Sequence, residues 1–231
     1  MATISTFREA LRSSDGLLTA VERRCLIWLA TRMPAFIHSD HLTALALAGM
    51  LCVGVSYCLS SRYPAALFLA ILGLAVNWFG DSLDGTLARV RQQQRPRYGF
   101  YVDHVLDTLG VLFVLGGLGL SGHMAPTVAA AVLIAYYVLS IEIYLATYCI
   151  GTFQMSFWKL GPTELRIALA AGTLMLFVTP TPTIAGLTFR LFDIGGAVAG
   201  VGLAAIAVLS MVRHTRLLYR AEPLPARVIL P

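Results

Sequence analysis

The sequence predicts an all-α, polytopic membrane protein with six transmembrane helices and an N-terminal interfacial amphipathic helix. Three observations carry that expectation. Of the 231 residues, 58% are hydrophobic and 13% charged, against roughly 25% charge in a soluble domain. The mean hydropathy is +0.76. The apolar residues also gather into six stretches, at 41–60, 65–88, 99–121, 125–150, 164–181 and 191–212, each near the roughly 20 residues that cross a bilayer core.

Taken in order, residues 1–37 form the juxtamembrane segment. Arg8, Glu9, Arg12, Glu22, Arg23, Arg24 and Arg32 alternate with Phe7, Leu11, Leu17, Leu18, Leu26, Ile27 and Trp28, the pattern of a helix lying in the interface rather than across it. A break falls near Ser13 to Gly16, and Pro34 ends the segment. The six-helix domain occupies 38–213, and Ser39 or Asp40 is placed to cap its first helix. Turn residues separate the spans at Ser60 to Pro64, Gly122 to Pro126 and Thr179 to Thr183. Residues 214–231 complete the chain as a cytoplasmic tail.

The net charge of +5 does not point to nucleic acid, because the basic residues sit at the ends of apolar stretches rather than in one patch. A lipid bilayer with anionic headgroups is the expected partner. With six spans and the N-terminus inside, fifteen of the seventeen Lys and Arg residues face the cytoplasm, and only Arg62 and Arg190 face out. The four cysteines show no CxxC spacing, so they read as packing residues. The first thirty residues lack the regions of a cleaved signal peptide.

Charge inside such a chain needs a reason, and most of it lies between residues 81 and 107. There the chain reads D-x2-D-G-x2-A-R-x9-G-x3-D-x3-D, with Asp81, Asp84, Gly85, Ala88, Arg89, Gly99, Asp103 and Asp107 at the fixed positions. On a helix Asp81 and Asp84 lie about 60° apart and Asp103 and Asp107 about 40° apart, so each pair shares one face. Four carboxylates at that depth repel and take up protons unless a cation offsets them. Their oxygen-only chemistry favours Mg²⁺ or Mn²⁺ over zinc. Gly85 and Gly99 leave room for a ligand to approach the backbone.

This run resembles the signature of the CDP-alcohol phosphotransferase family (CDP-alcohol phosphatidyltransferase class I), and all eight signature positions match. The family's membrane enzymes move a phospho-alcohol from a CDP-alcohol to a hydroxyl acceptor and release CMP. The resemblance implies that Asp81, Asp84 and Asp103 bind a pair of Mg²⁺ or Mn²⁺ ions, with Asp107 as general base and further metal contact. It implies that Gly85, Ala88, Arg89 and Gly99 line the CDP-alcohol. Thr43 matches a donor-side threonine of the family, whereas Asp40 replaces an asparagine and Pro96 a hydroxyl residue. A homodimer in a bacterial inner membrane, with its site at the cytoplasmic face, is the implied setting.

The acceptor side is less constrained. Arg91, Arg95 and Arg97 form a basic loop that meets anionic headgroups, unless Arg95 or Arg97 grips a phosphate. Glu142, inside an apolar span, either lines the acceptor pocket or pairs with a helix neighbour. Lys159 and Arg166 are further acceptor candidates on the same face. CDP-diacylglycerol is the expected donor, with transfer from a CDP-aminoalcohol to diacylglycerol as the alternative, since Asp103-His104 resembles the D-H-x-x-D of choline and ethanolamine phosphotransferases. The rivals are an intramembrane prenyltransferase and, from another class, a cation-binding transporter.

Overall fold

The computed structural model describes residues 11–13, 19–154, 161–184, 186–222 and 224. Its helices are α1 (Thr19–Arg32), α2 (Ser39–Ser60), α3 (Ala66–Val90), α4 (Pro96–Ser121), α5 (Pro126–Ile150), α6 (Pro162–Met175) and α7 (Leu191–Ala221). Two small sheets accompany them. Strand β1 (Leu11–Ser13) pairs in parallel with β2 (Thr152–Gln154), and β3 (Thr183–Ile184) pairs antiparallel with β4 (Leu187–Thr188).

Among the described residues five helices, α2, α3, α4, α5 and α7, are long and apolar enough to cross a membrane. The stretch expected as the fifth of six spans is instead a 14-residue helix, α6. At 1.5 Å per residue it covers about 21 Å, short of the roughly 30 Å hydrocarbon core. Tighter turns prolong it, since Phe177 N–H donates to Leu174 and Val178 N–H to Met175. Pro180 and Pro182 follow and stop the helix.

The other limits shift modestly. α4 begins at Pro96, a residue suited to the first turn because its missing N–H has no helical partner there. α7 runs on past the expected limit of 212 to Ala221, so Arg213, Arg216 and Arg220 lie on a helix. α2 starts at Ser39, with His38 before it as the cap residue and the His38 N–H donating to His41 Nδ1 at 3.2 Å. Asp40 is therefore inside the first turn and does not cap it.

α1 packs against α3 through Leu26, Leu29, Ala30 and Met33, spaced as one helical stripe, while Arg23, Arg24, Ile27 and Trp28 stay exposed. The juxtamembrane segment expected over 1–37 is longer than this helix. Residues 1–10 and 14–18 of the same segment lie outside the described residues.

α2 is the central post, with α3 and α4 both packed along it. Glycines make the approach close enough for backbones to touch. A Cβ on Gly117 would stand 2.3 Å from the Gly54 carbonyl oxygen, and one on Gly80 would stand 2.4 Å from the Leu42 carbonyl oxygen. Small residues are how membrane helices come together when lipid removes the hydrophobic incentive. Away from the acidic stretch, Val53, Tyr57, Leu67, Leu74, Leu118, Met124 and Phe192 form the larger core. The Tyr57 and Thr173 hydroxyls, both fully buried, hydrogen-bond at 2.6 Å and fix α6 to α2. α7 lies on α5 and turns Val198, Val201, Val208 and Leu209 outward, an apolar surface suited to lipid.

Gly80→Ala should cost about 1–3 kcal/mol, because the backbone of α2 must move to admit the methyl. Gly116→Ala, whose Cβ would meet nothing within 4 Å, should be neutral or slightly stabilising, since alanine is the better helix former. Thermal melts of the two variants in detergent check the contrast.

Candidate active site

Two helices deliver the acidic residues and a third supplies the floor. Asp81 lies in the second half of α3, and Asp103 and Asp107 lie in the first half of α4. One carboxylate oxygen from each comes within 4.8 Å of the others. Thr43, Ala46, Leu47 and Met50 of α2, with Asn77 of α3 and Leu106 of α4, close a small cavity of about 10 Å³ around them. That volume holds one water-sized occupant and nothing larger.

Asp84 stands beside this trio rather than in it. Its Oδ2 accepts a hydrogen bond from Thr43 Oγ1 at 2.6 Å, and its Oδ1 accepts one from the Gly85 N–H. Thr43, expected on the donor side, and Asp84, expected as a metal ligand, are thereby joined across α2 and α3. Asp103 lies 3.7 Å from His104 Nδ1, which also donates to the Phe100 carbonyl at 2.6 Å. His104 is buried between the Phe100 and Tyr144 rings.

Arg166 is brought in from α6. Its Nη2 donates to Asp81 Oδ2 at 2.5 Å and its Nε to Asn77 Oδ1 at 2.7 Å. Asn77 passes the contact on by donating Nδ2 to the Ala46 carbonyl at 3.0 Å. Arg166, one of the acceptor-side expectations, is thereby bonded to the trio.

The other expected residues are placed as follows. Arg89 is exposed, donates to Thr86 Oγ1 at 3.1 Å and lies over Gly85, whose Cβ would be 3.5 Å from Arg89 Nη1. Gly99 faces open space. Asp40 and Ala88 border a second, larger cavity of about 530 Å³, shared with Arg91 and Arg95. Arg95 is ion-paired with Asp40 and stacks over the Tyr98 ring at 4.1 Å. The Asp40 carboxylate raises the guanidinium pKa of Arg95. Arg97 is exposed on the first turn of α4. Lys159 lies outside the described residues.

Glu142 does not join the aspartates. It is 7% exposed and its Oε1 is 2.5 Å from His214 Nδ1, so of the two expectations the structure has the helix neighbour, on α7. Helical spacing explains why. Tyr137 and Tyr144 are on the side of α5 that meets α4, where they touch the Thr108 carbonyl and the His104 ring, and Glu142 is on another.

Two features escaped the sequence reading. Glu22, taken as interfacial charge, gathers three donors on one oxygen: Trp78 Nε1 at 2.7 Å, Thr163 Oγ1 at 2.8 Å and Ser82 Oγ at 3.3 Å. It ties α1 to the turns of α3 and α6 that carry Asp81 and Arg166. Arg91, counted as loop charge, donates to the Met33, Pro34 and Ile37 carbonyls and straps the α1–α2 connection to the end of α3. Neither has a local motif, because partners 54 to 141 residues away leave no spacing to read.

The donor set fits a hard divalent cation. It is all oxygen, it encloses an ion-sized space, and its negative charge exceeds what the Arg166 guanidinium offsets. Oxygens bound at about 2.1 Å to one ion lie no more than about 4.2 Å apart, so the 4.8 Å spread closes with small side-chain movements. Asp81, Asp103 and Asp107 would hold such an ion directly, with Asp84 one helical turn from Asp81.

The profile of the CDP-alcohol phosphatidyltransferase family matches residues 36–214, which takes in α2 through most of α7 and every residue of the acidic site. No individual curated protein matches the chain. With its signature and its fold in one continuous match over most of its length, the chain belongs to the CDP-alcohol phosphatidyltransferase family.

Proposed function

We propose that this protein transfers a phosphatidyl group from CDP-diacylglycerol to a hydroxyl acceptor and releases CMP. The observation that carries the reading is the convergence of Asp81, Asp103 and Asp107, from both halves of the signature, around one ion-sized space. A transporter would need a second polar station on the way across. The described residues hold no other cluster of three metal-ligating side chains.

In this reading the CDP moiety lies in the 530 Å³ cavity, where Asp40 and Ala88 already stand and Arg89 is one residue further along α3. Thr43 holds Asp84 by its hydroxyl and fixes the carboxylate toward the donor. Mg²⁺ or Mn²⁺ ions on Asp81, Asp84, Asp103 and Asp107 would neutralise the pyrophosphate and stabilise the leaving CMP. Asp107 takes the proton from the acceptor hydroxyl as its oxygen attacks the β-phosphorus. The new P–O bond forms as the bond to the CMP phosphate breaks. The α5 face bearing Tyr136, Ser140 and Tyr144 supplies hydroxyl groups on the Asp107 side, suited to orienting an acceptor.

The same reading makes α6 the sixth crossing. Its first turns bond Asp81, its later turns reach Tyr57, and the Phe177 ring beyond it stacks on Phe68 at 4.9 Å, so it runs the depth of the bundle. Counting to Thr179 gives 18 residues, about 27 Å. Six crossings put both ends of the chain on the side of the aspartates, which the charge bias makes cytoplasmic. The working enzyme is a homodimer in a bacterial inner membrane.

CMP release by purified protein should require a divalent cation and be lost in Asp81→Asn, Asp84→Asn and Asp103→Asn. Undiminished turnover after metal stripping would sink the assignment. The assay should include glycerol 3-phosphate, inositol phosphate and serine as acceptors.

Asp107→Asn should keep most donor affinity while turnover falls by about 10²–10⁴-fold, as for a lost general base. Arg89→Ala should weaken donor binding, because a charge-assisted phosphate contact acts in the ground state too. Calorimetry beside turnover separates the two, and loss of nucleotide binding in Asp107→Asn would remove the base role.

A cysteine at Gln93, in a background without the four native cysteines, should react with impermeant maleimide only in inside-out vesicles. Labelling of intact cells would reverse the orientation.

A further inference from the structure

Arg166 is bonded to the very carboxylate that an ion in the trio needs. Its Nη2 sits 2.5 Å from Asp81 Oδ2, and the side chain is only 14% exposed, so water screens its charge little. Its Nε is held separately by Asn77 at 2.7 Å, and Asn77 is anchored on the Ala46 carbonyl. The guanidinium is thus fixed by a neutral partner on one edge and lends its charge on the other.

Two cations compete for Asp81. An ion at about 2.1 Å from an Asp81 oxygen would have a guanidinium nitrogen bonded to the same carboxylate. At such separations in a half-buried site the repulsion is strong. Without an ion, the guanidinium offsets part of the repulsion among Asp81, Asp103 and Asp107. With one, that service is no longer needed and the contact becomes a cost.

We propose that Arg166 is a resident counter-ion that holds Asp81 until a divalent cation takes it over, and so sets how tightly the site binds metal. The proposal rests on the metal-binding reading of the aspartates. Displacement need not undo the local structure, because the bond to Asn77 keeps Arg166 in place while its Nη groups turn away from Asp81. Arg166 is then a positioning residue whose removal strengthens metal binding, the opposite of what loss of a purely structural brace would do.

The test is Mn²⁺ binding to purified, nucleotide-free protein, followed by the paramagnetic resonance of free Mn²⁺ and by the Mn²⁺-induced shift in melting temperature. Arg166→Gln should bind Mn²⁺ at least about tenfold more tightly than the unaltered chain, the lower edge of what one adjacent charge does to a proton at such a site. Its metal-free melting temperature should fall, and Mn²⁺ should raise it more. Arg166→Lys should bind with intermediate affinity, because a compact ammonium cannot span Asn77 and Asp81 together, and it decides the matter if the glutamine variant does not fold. Unchanged or weaker Mn²⁺ binding in these variants, with Asp81→Asn abolishing it, overturns the counter-ion role and leaves the metal site standing. Absence of Mn²⁺ binding in every form, the unaltered chain included, removes the metal reading and this proposal with it.

Discussion

Like charges do not gather on their own, and the fold is best understood as the means of holding three carboxylates together. Asp81 arrives on α3 and Asp103 and Asp107 on α4, and the two helices are both referred to α2. If α2 were one methylene further from either neighbour, the carboxylates would relax apart. The glycine contacts at Gly54, Gly80 and Gly117 prevent that, because backbone against backbone leaves no soft side chain to yield. Packing energy stored along the bundle thus works against electrostatic energy at one end of it.

The acidic end is braced from outside as well. Glu22 joins α1 to α3 and α6, and Arg91 pins the α1–α2 connection beneath the end of α3. Both braces are charged groups satisfied by several partners each, as partly buried charges must be. α1 is therefore part of the frame around the site, while its Arg23, Arg24 and Trp28 are exposed.

Much of this was legible in the sequence. Hydropathy marked the five long helices, missing chiefly the far end of α7, and helical spacing put Asp81 with Asp84 and Asp103 with Asp107 on shared faces, although Asp84 stands outside the trio. What stayed hidden was whatever depended on distant partners. Asp40 looked like a cap, yet a cap residue must lie outside the helix, and α2 reaches back to Ser39 so that Asp40 pairs with Arg95 instead. Glu142 looked functional by its burial, but burial does not say which way a residue faces, and its face of α5 meets His214. The regular helix of α6 ends at Met175, before the apolar stretch does, because hydropathy counts apolar residues without knowing where hydrogen bonding tightens.

The buried pair of hydroxyls at Tyr57 and Thr173 has a mechanical meaning. It ties the far half of α6 to the best-packed part of the bundle, while the near half is held by polar contacts that ligands can replace. α6 is then a lever with its pivot at Thr173. Arg166 lies seven residues away, about 10 Å along the axis, so a tilt of about 10° moves its Cα by nearly 2 Å. Travel of that size would add to the turning of the Nη groups about the Asn77 bond, and it would leave the Thr173 end seated in the core.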